Sequence, residues 1–217
     1  MKKDILLVSV IGAAVGLLIQ PVLTNIQALA YIAAYLPMSQ FAWRIAIFFG
    51  FLILAPVALL IANFIGRRIA VIYQFAKFAA VGTLNSFIDL GIFNLETMLY
   101  GATPSPGVFF VLKSISFLSA TTNSYFWNKF WTFEAKSRPE ATEAAKFYII
   151  AIIGYGLNAG VATFVYSLGG ADPSSLWTNI VSPFAGIFSA FLWNFLGYKF
   201  VVFAKKEGGE TGRPVTL

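Results

Sequence analysis

The chain has 217 residues, of which 59% are hydrophobic and only 11% are charged, with a net charge of +6. Soluble domains are about half apolar and about a quarter charged, so this composition indicates an integral membrane protein. The sequence contains no Cys and no His, which excludes disulfides, thiol nucleophiles, imidazole bases and the usual zinc or haem ligands. We therefore expect no metal site and no cofactor.

Six apolar segments follow one another along the chain, each long enough to cross a bilayer, which takes about 20 residues. They are 5–26, 42–65, 76–99, 108–133, 146–168 and 177–203. Pro, Gly or charged residues separate them. The predicted fold class is an all-α integral membrane protein with six transmembrane helices.

The first segment has a second interpretation. Lys2 and Lys3, the apolar run and the small residues Ala28-Leu29-Ala30 also fit a secretory signal with its cleavage site. A mature protein of five spans would keep the orientation of the remaining helices, so the charge pattern leaves both possibilities open.

The basic residues predict the orientation, because Lys and Arg concentrate in cytoplasmic loops. Thirteen of the 15 basic residues fall on one side of the six spans, whereas the opposite loops 27–41, 100–107 and 169–176 contain no Lys or Arg. Both termini are therefore predicted in the cytoplasm. Since these charges lie at the ends of apolar runs and not on one soluble face, a nucleic-acid partner is not expected.

Two stretches end alike, which indicates a tandem duplication. Lys-Phe-x-x-Phe begins at Lys129 and again at Lys199, and the same offset of 70 aligns Ser119-Ala120 with Ser189-Ala190. Each repeat contains two spans, so the chain returns to its starting side and the repeats have parallel topology.

The predicted domains follow from this duplication. An N-terminal extension of two spans covers 1–66, and a four-span domain covers 67–206, with repeats 76–136 and 146–206. The tail 207–217 is predicted to be disordered in the cytoplasm.

Charged and amide side chains within the spans are the candidate binding residues. Asn85, Asp89 and Glu96 share one face of the third span, because they lie at helical spacings of four and seven residues. Intramembrane carboxylates are costly and usually face protein or water. Lys113 enters the next span as the expected partner of Glu96, and Arg44 lies at a similar outer level. These groups fit either a polar cavity for a charged headgroup or ion pairs that only fix helix packing.

Three further candidates lie at the cytoplasmic level. Lys129 and Lys199 could bind a lipid phosphate, or could serve as topology and membrane anchors alone. Asn128 precedes the first of them and could bind the same headgroup or join helices through its amide. No phosphate-binding glycine motif and no enzyme signature is present, so catalytic activity is not expected.

These motifs together resemble the GtrA-like family. The resemblance is carried by Lys77-Phe-Ala-Ala-Val-Gly-Thr-Leu-Asn, Asn128-Lys-Phe-Trp-Thr-Phe, Lys146-Phe and Asn194-Phe-Leu-Gly-Tyr-Lys-Phe-Val-Val-Phe, over about 75–204. It implies a small four-span membrane protein of cell-surface polysaccharide synthesis that handles polyprenyl-phosphate-linked sugars. Members are proposed to flip undecaprenyl-phosphate-glucose, and related domains are fused to dolichol-phosphate-mannose-type synthases.

The family pattern is matched at single positions and missed at others. The matching residues are Gly82, Asn128, Lys129, Trp131, Phe133 and Lys199. The second repeat has Val201 and Val202 where the first has Trp131 and Thr132, and the extension 1–66 departs from the four-span plan.

Two functions are consistent with this pattern. The first is flipping of a polyprenyl phosphate or its glycosylated form across the inner (plasma) membrane by a multi-pass protein. The second is a non-transporting anchor or scaffold for a cytoplasmic or membrane glycosyltransferase. Membrane lipids are expected partners in both, and the small-residue helix faces suggest a homo-oligomer.

Overall fold

The computed structural model describes residues 1–20, 38–101, 103–169 and 176–204. Within these ranges the chain forms six α-helices and no strand, which confirms the all-α class. The helices are α1 (Lys2–Leu18), α2 (Gln40–Gly66), α3 (Ala70–Tyr100), α4 (Pro106–Trp127), α5 (Ala141–Gly169) and α6 (Ser182–Gly197). The predicted tail 207–217 and the end of the first predicted span, 21–26, lie outside the described residues.

Local sequence signals set several helix ends. Ser39 caps α2 by accepting the Ala42 N–H at 3.2 Å, and Ser105 caps α4 in the same way, with Pro106 at the first helical position. At the other end of α3, Gly101 adopts a φ of 72°, a left-handed conformation that favours glycine.

Four helices among the described residues have the length and apolar composition to cross a membrane. They are Gln40–Gly66, Ala70–Tyr100, Ala141–Gly169 and Ser182–Val202. The 17 described residues of α1 are shorter than a full span, and α4 carries many Ser, Thr and Asn residues. The six-span topology, the cytoplasmic termini and the parallel repeats stay predictions.

The chain divides into two compact units, Met1–Thr132 and Phe133–Leu217. In the first unit α1 packs along both α2 and α3, and α3 packs along α4. Glycine permits the close approach of α1 to α2, because a Cβ on Gly12 would lie 2.5 Å from the Phe51 carbonyl oxygen. The extension 1–66 therefore shares one apolar core with the first repeat; the predicted domain boundaries stay predictions. The core residues are Val8, Ile11, Val15, Leu59, Val81, Leu84 and Trp131.

In the second unit α5 packs along α6. The helices approach each other where glycine faces a larger side chain: Gly154 lies against Asn194, and Gly197 lies against Ile150. At one end of the pair the Phe147 and Tyr198 rings stack with their centroids 3.9 Å apart.

The two repeated sequence endings adopt the same backbone conformation. A five-residue π-helical segment extends α4 at Asn128–Thr132, and another extends α6 at Tyr198–Val202. These segments are separated by the sequence offset of 70. Short π-helical segments inside helices occur frequently at functional sites.

Candidate functional site

A line of polar contacts joins the middle of α3 to α4. The Asn123 Nδ2 donates to Asn85 Oδ1 at 2.7 Å, and the Ser116 hydroxyl donates to Asp89 Oδ1 at 2.6 Å. The Lys113 ammonium forms an ion pair with Asp89 Oδ2. We call these five residues the polar seam.

The sequence-based pairing of Lys113 with Glu96 is wrong, because Lys113 pairs with Asp89. The antiparallel register of the two helices explains the difference. Asn85 lies opposite Asn123, and the rings of Phe93 and Phe109 meet with centroids 5.1 Å apart, so Asp89 falls opposite 113–116. Glu96 lies about two turns further along α3.

Glu96 has an unusual environment for a carboxylate. The residue is half-buried, and its Oε2 is buried with no hydrogen-bond partner among the described residues. A buried acceptor without a donor costs about 1–3 kcal/mol, and more for a charged group. This atom is therefore suited to accept a hydrogen bond from a ligand.

The polar seam is partly accessible. The Lys113 side chain is 42% exposed and that of Asp89 is 25% exposed, whereas Ser116 is fully buried. The Lys113 ammonium also lies 5.5 Å from the centroid of the Phe93 ring. The exposed Lys113 ammonium can thus bind another anion, while the buried Ser116 hydroxyl keeps Asp89 in place.

A second polar cluster lies where the first turn of α1 meets α3 and the end of α4. The Asp4 Oδ1 receives the Lys77 ammonium at 2.9 Å and the Trp131 indole N–H at 2.9 Å. Lys77 is only 3% exposed, and its ammonium lies 5.1 Å from the centroid of the Tyr73 ring. We call Asp4, Lys77 and Trp131 the Asp4 cluster.

The environment of Asp4 shifts its acidity. Burial alone would raise the pKa of the carboxyl group. Hydrogen bonds from Lys77, the terminal amine and Trp131, together with the charge of Lys77, outweigh burial and hold the pKa well below its ordinary value. Asp4 is therefore an ionised partner for the buried Lys77.

The repeated lysines have related surroundings. The Lys129 ammonium lies 5.9 Å from the centroid of the Tyr125 ring, and Lys199 lies 5.6 Å from that of Phe195. Each ring precedes its lysine by four residues. Lys129 is fully buried, whereas Lys199 is half-buried.

Asn128 is also fully buried. Its Nδ2 donates to the Ser124 carbonyl at 2.9 Å, and its Oδ1 has no hydrogen-bond partner among the described residues. The π-helical segment that starts at Asn128 contains both Asn128 and Lys129, and both side chains lie in the protein interior.

Arg44 does not join the polar seam through any contact of the described residues. Its side chain is exposed, and its carbonyl oxygen accepts the Gln20 amide at 3.2 Å. The described residues also contain no group of three or more acidic, His or Cys side chains that could hold a metal ion.

The sequence identified four of the polar side chains on α3 and α4, namely Asn85, Asp89, Glu96 and Lys113. It did not identify Ser116, Asn123 or the Asp4 cluster. Lys77 carried a signal, since Lys77-Phe78 resembles Lys146-Phe147 and opens the motif that resembles the family. Asp4 carried none, because an acidic residue beside Lys2 and Lys3 is typical of any exposed helix start.

Apolar helices long enough to cross a membrane, joined by ionic and amide contacts, define the chain as a helical membrane protein. The family model described as the GtrA/DPMS transmembrane domain matches residues 77–203, more than half of the chain. The protein belongs to this family, as the sequence motifs predicted, and membership links it to the synthesis of lipid-linked sugars and polysaccharides.

One relative is an uncharacterized membrane protein, YngA, of Bacillus subtilis (strain 168). It is 28% identical over 127 residues, which cover 58% of this chain and 77% of that protein. No solved structure matches the chain.

Proposed function

We propose that this protein moves a polyprenyl phosphate, or a sugar linked to it, across the inner (plasma) membrane during the synthesis of a cell-surface polysaccharide or glycoconjugate. The protein acts without catalysis and without a cofactor. The observation that carries the proposal is the polar seam, which brings a lysine, a carboxylate, a hydroxyl and two amides together between α3 and α4. Family membership supports the same class of substrate.

The seam has the chemistry that such a headgroup requires. A phosphate is stabilised by an ammonium, and Lys113 presents one at 42% exposure. Sugar hydroxyls donate hydrogen bonds, and the unpartnered Glu96 oxygen and the amides can accept them. These contacts offset part of the large cost of taking polar groups out of water, while the polyprenyl chain stays in lipid.

The length of the line of polar residues suits passage through part of the membrane. Asn85 and Glu96 are 11 residues apart, which corresponds to about 16 Å along an α-helix and to about half of a hydrocarbon core of ~30 Å. In the proposed path Lys129 and Lys199 attract the phosphate at the cytoplasmic end. Arg44 remains a candidate contact at the other end.

A proteoliposome assay with a defined polyprenyl-phosphate sugar tests the proposal. We expect Lys113→Gln and the double variant Asp89→Asn/Lys113→Gln to lose at least about tenfold in flipping rate, because both lack the seam cation. The double variant keeps hydrogen-bonding side chains and leaves no unpaired charge, so it separates transport from folding.

The matched control is Ser86→Ala. Ser86 is exposed on α3, next to Asn85, and its hydroxyl bonds only to the Gly82 carbonyl of its own helix among the described residues. It should flip lipid at the wild-type rate. Wild-type rates in Lys113→Gln, the double variant and Lys129→Ala would contradict the proposed path.

A cavity in the second unit favours the alternative, a scaffold for a glycosyltransferase. It has a volume of about 740 Å³ and is lined by residues from 133–146 and 202–204, including Lys136, Glu140 and Lys146. Its mixed charges could bind a polar segment of a partner protein. In that case, the purified protein moves no lipid, and a glycosyltransferase co-purifies with the wild type but not with Lys136→Glu/Lys146→Glu.

A further inference from the structure

In the Asp4 cluster, Lys77 and Trp131 surround an anion, and the protein itself supplies that anion as the Asp4 carboxylate. Two donors from different helices, the Lys77 ammonium and the Trp131 indole N–H, converge on the same Asp4 oxygen at 2.9 Å each. A carboxylate oxygen and a phosphate oxygen accept such charge-assisted hydrogen bonds in the same way. The donors would therefore hold a phosphate as readily as they hold Asp4.

The donors and the anion come from different parts of the chain. Lys77 and Trp131 lie within the residues that match the family, 77–203, whereas Asp4 belongs to the N-terminal extension. The extension thus supplies a counter-anion to a lysine of the family domain, which gives the extension a function that its sequence alone did not indicate.

We infer that Lys77 and Trp131 form a phosphate-binding site, that Asp4 occupies it in the resting protein, and that the substrate phosphate displaces Asp4. This inference rests on the proposed function, since it assigns a further contact to the same phosphate-bearing substrate. The extension then regulates access to the family domain through competition between two anions.

The first turn of α1 can open without unpacking the rest of the helix. No side chain caps its N-terminus, residues 1–3 are exposed, and the Asp4 side chain is 15% exposed. Further along, Gly12 and Gly16 hold α1 against Phe51 and Phe48 of α2. Local fraying of a helix end costs much less than global unfolding, so Asp4 can leave while α1 stays in place.

The lysine remains stabilised after Asp4 leaves. Its ammonium lies 5.1 Å from the Tyr73 ring centroid and 5.6 Å from that of Trp131, and it donates to the Trp131 carbonyl at 3.4 Å. Contacts with aromatic faces stabilise a desolvated cation. The Lys77 ammonium therefore keeps these contacts when Asp4 is absent.

The first test measures binding of a polyprenyl phosphate to the full chain in nanodiscs, with uncharged polyprenol and inorganic phosphate as further probes. If the open state is populated at about 1–10%, removal of the competing anion raises apparent affinity by about 10- to 100-fold. We expect this gain in Asp4→Asn and wild-type affinity in Asp4→Glu, which keeps the anion. Lys77→Gln in the Asp4→Asn background should abolish the gain.

The probes distinguish the sources of phosphate. Binding that requires the polyprenyl chain assigns the site to a lipid headgroup, and equal competition by inorganic phosphate assigns it to a free anion. Equal affinities of Asp4→Asn and wild type for both phosphates would overturn the inference, as would an equal gain for uncharged polyprenol.

A second measurement keeps both Asp4 and Lys77 in place. The chain contains no Cys, so Lys3→Cys provides a single attachment point for a nitroxide label in the first turn of α1. Polyprenyl phosphate should increase the label's mobility, and polyprenol should leave it unchanged. A label whose mobility does not change at saturating polyprenyl phosphate contradicts displacement of Asp4.

Failure of this inference can be told apart from failure of the proposed function. Flipping by a wild-type protein whose affinity does not respond to Asp4→Asn refutes the site and keeps the function. Binding that responds to Asp4→Asn, in a protein that flips no lipid, refutes the function and keeps the site.

Discussion

Replacement of Ser116 by Ala removes the hydroxyl that donates to Asp89 Oδ1 at 2.6 Å. Ser116 is fully buried, so no water takes the place of the lost donor at its own position. Hydrogen bonds to charged groups contribute about 1.5–3 kcal/mol. The Asp89 side chain is 25% exposed and regains some hydration, so we expect a loss near the lower end, about 1.5 kcal/mol.

Thermal unfolding of the purified protein in detergent measures this loss. For a chain of this size, 1 kcal/mol corresponds to about 2–4 °C, so Ser116→Ala should lower Tm by about 3–6 °C. Ser119→Ala is the matched control on α4, because Ser119 is only half-buried and its hydroxyl bonds to the Ile115 carbonyl of its own helix and not to a charged group. It should change stability by less than about 0.5 kcal/mol.

A double-mutant cycle identifies the cause of the loss. In the Asp89→Asn background the hydroxyl no longer meets a charge, so Ser116→Ala should cost about 1 kcal/mol less than in the wild type. Equal Tm losses for Ser116→Ala and Ser119→Ala, or strict additivity in the cycle, would refute the argument that Ser116 stabilises an ionised Asp89.

Two further outcomes follow from the packing and the charges. Gly154→Ala should cost about 1–3 kcal/mol of stability, because its Cβ would overlap the Asn194 amide, with Cγ 2.9 Å away. Gly156→Ala, on the same helix with open space around it, should instead stabilise by about 0.5–1 kcal/mol, and thermal melts of both variants check the pair. The pKa of Asp4 is lower in the folded state than its ordinary value of 3.8, so its contribution to stability is present above pH 3.8 and is lost as the pH falls below it. The Tm difference between wild type and Asp4→Asn should therefore begin to narrow as the pH falls from 3.8 to 3, and a difference that stays constant between pH 7 and pH 3 would contradict this.

The sequence determined the class of the protein and the positions of its helices. A bilayer imposes a minimum apolar length on each span. The apolar segments, and the Pro, Gly and charged residues that separate them, were therefore enough to place six helices. The repeated endings at Lys129 and Lys199 were also recognisable in the sequence, and in the structure both form a five-residue π-helical segment. The family followed from these motifs, since they hold their order along the chain.

Only the tertiary structure decided which polar groups meet. Helical periodicity placed Asp89 and Glu96 on one face of α3 but could not set the register of α3 against α4. In the structure this register brings Lys113 next to Asp89, and the two form an ion pair. Asp4 and Trp131 are 127 positions apart, and their contact depends on the packing of α3 against both α1 and the π-helical segment Asn128–Thr132. The physical reason is that local spacing fixes the face of a helix, whereas the facing partner depends on the packing of whole helices.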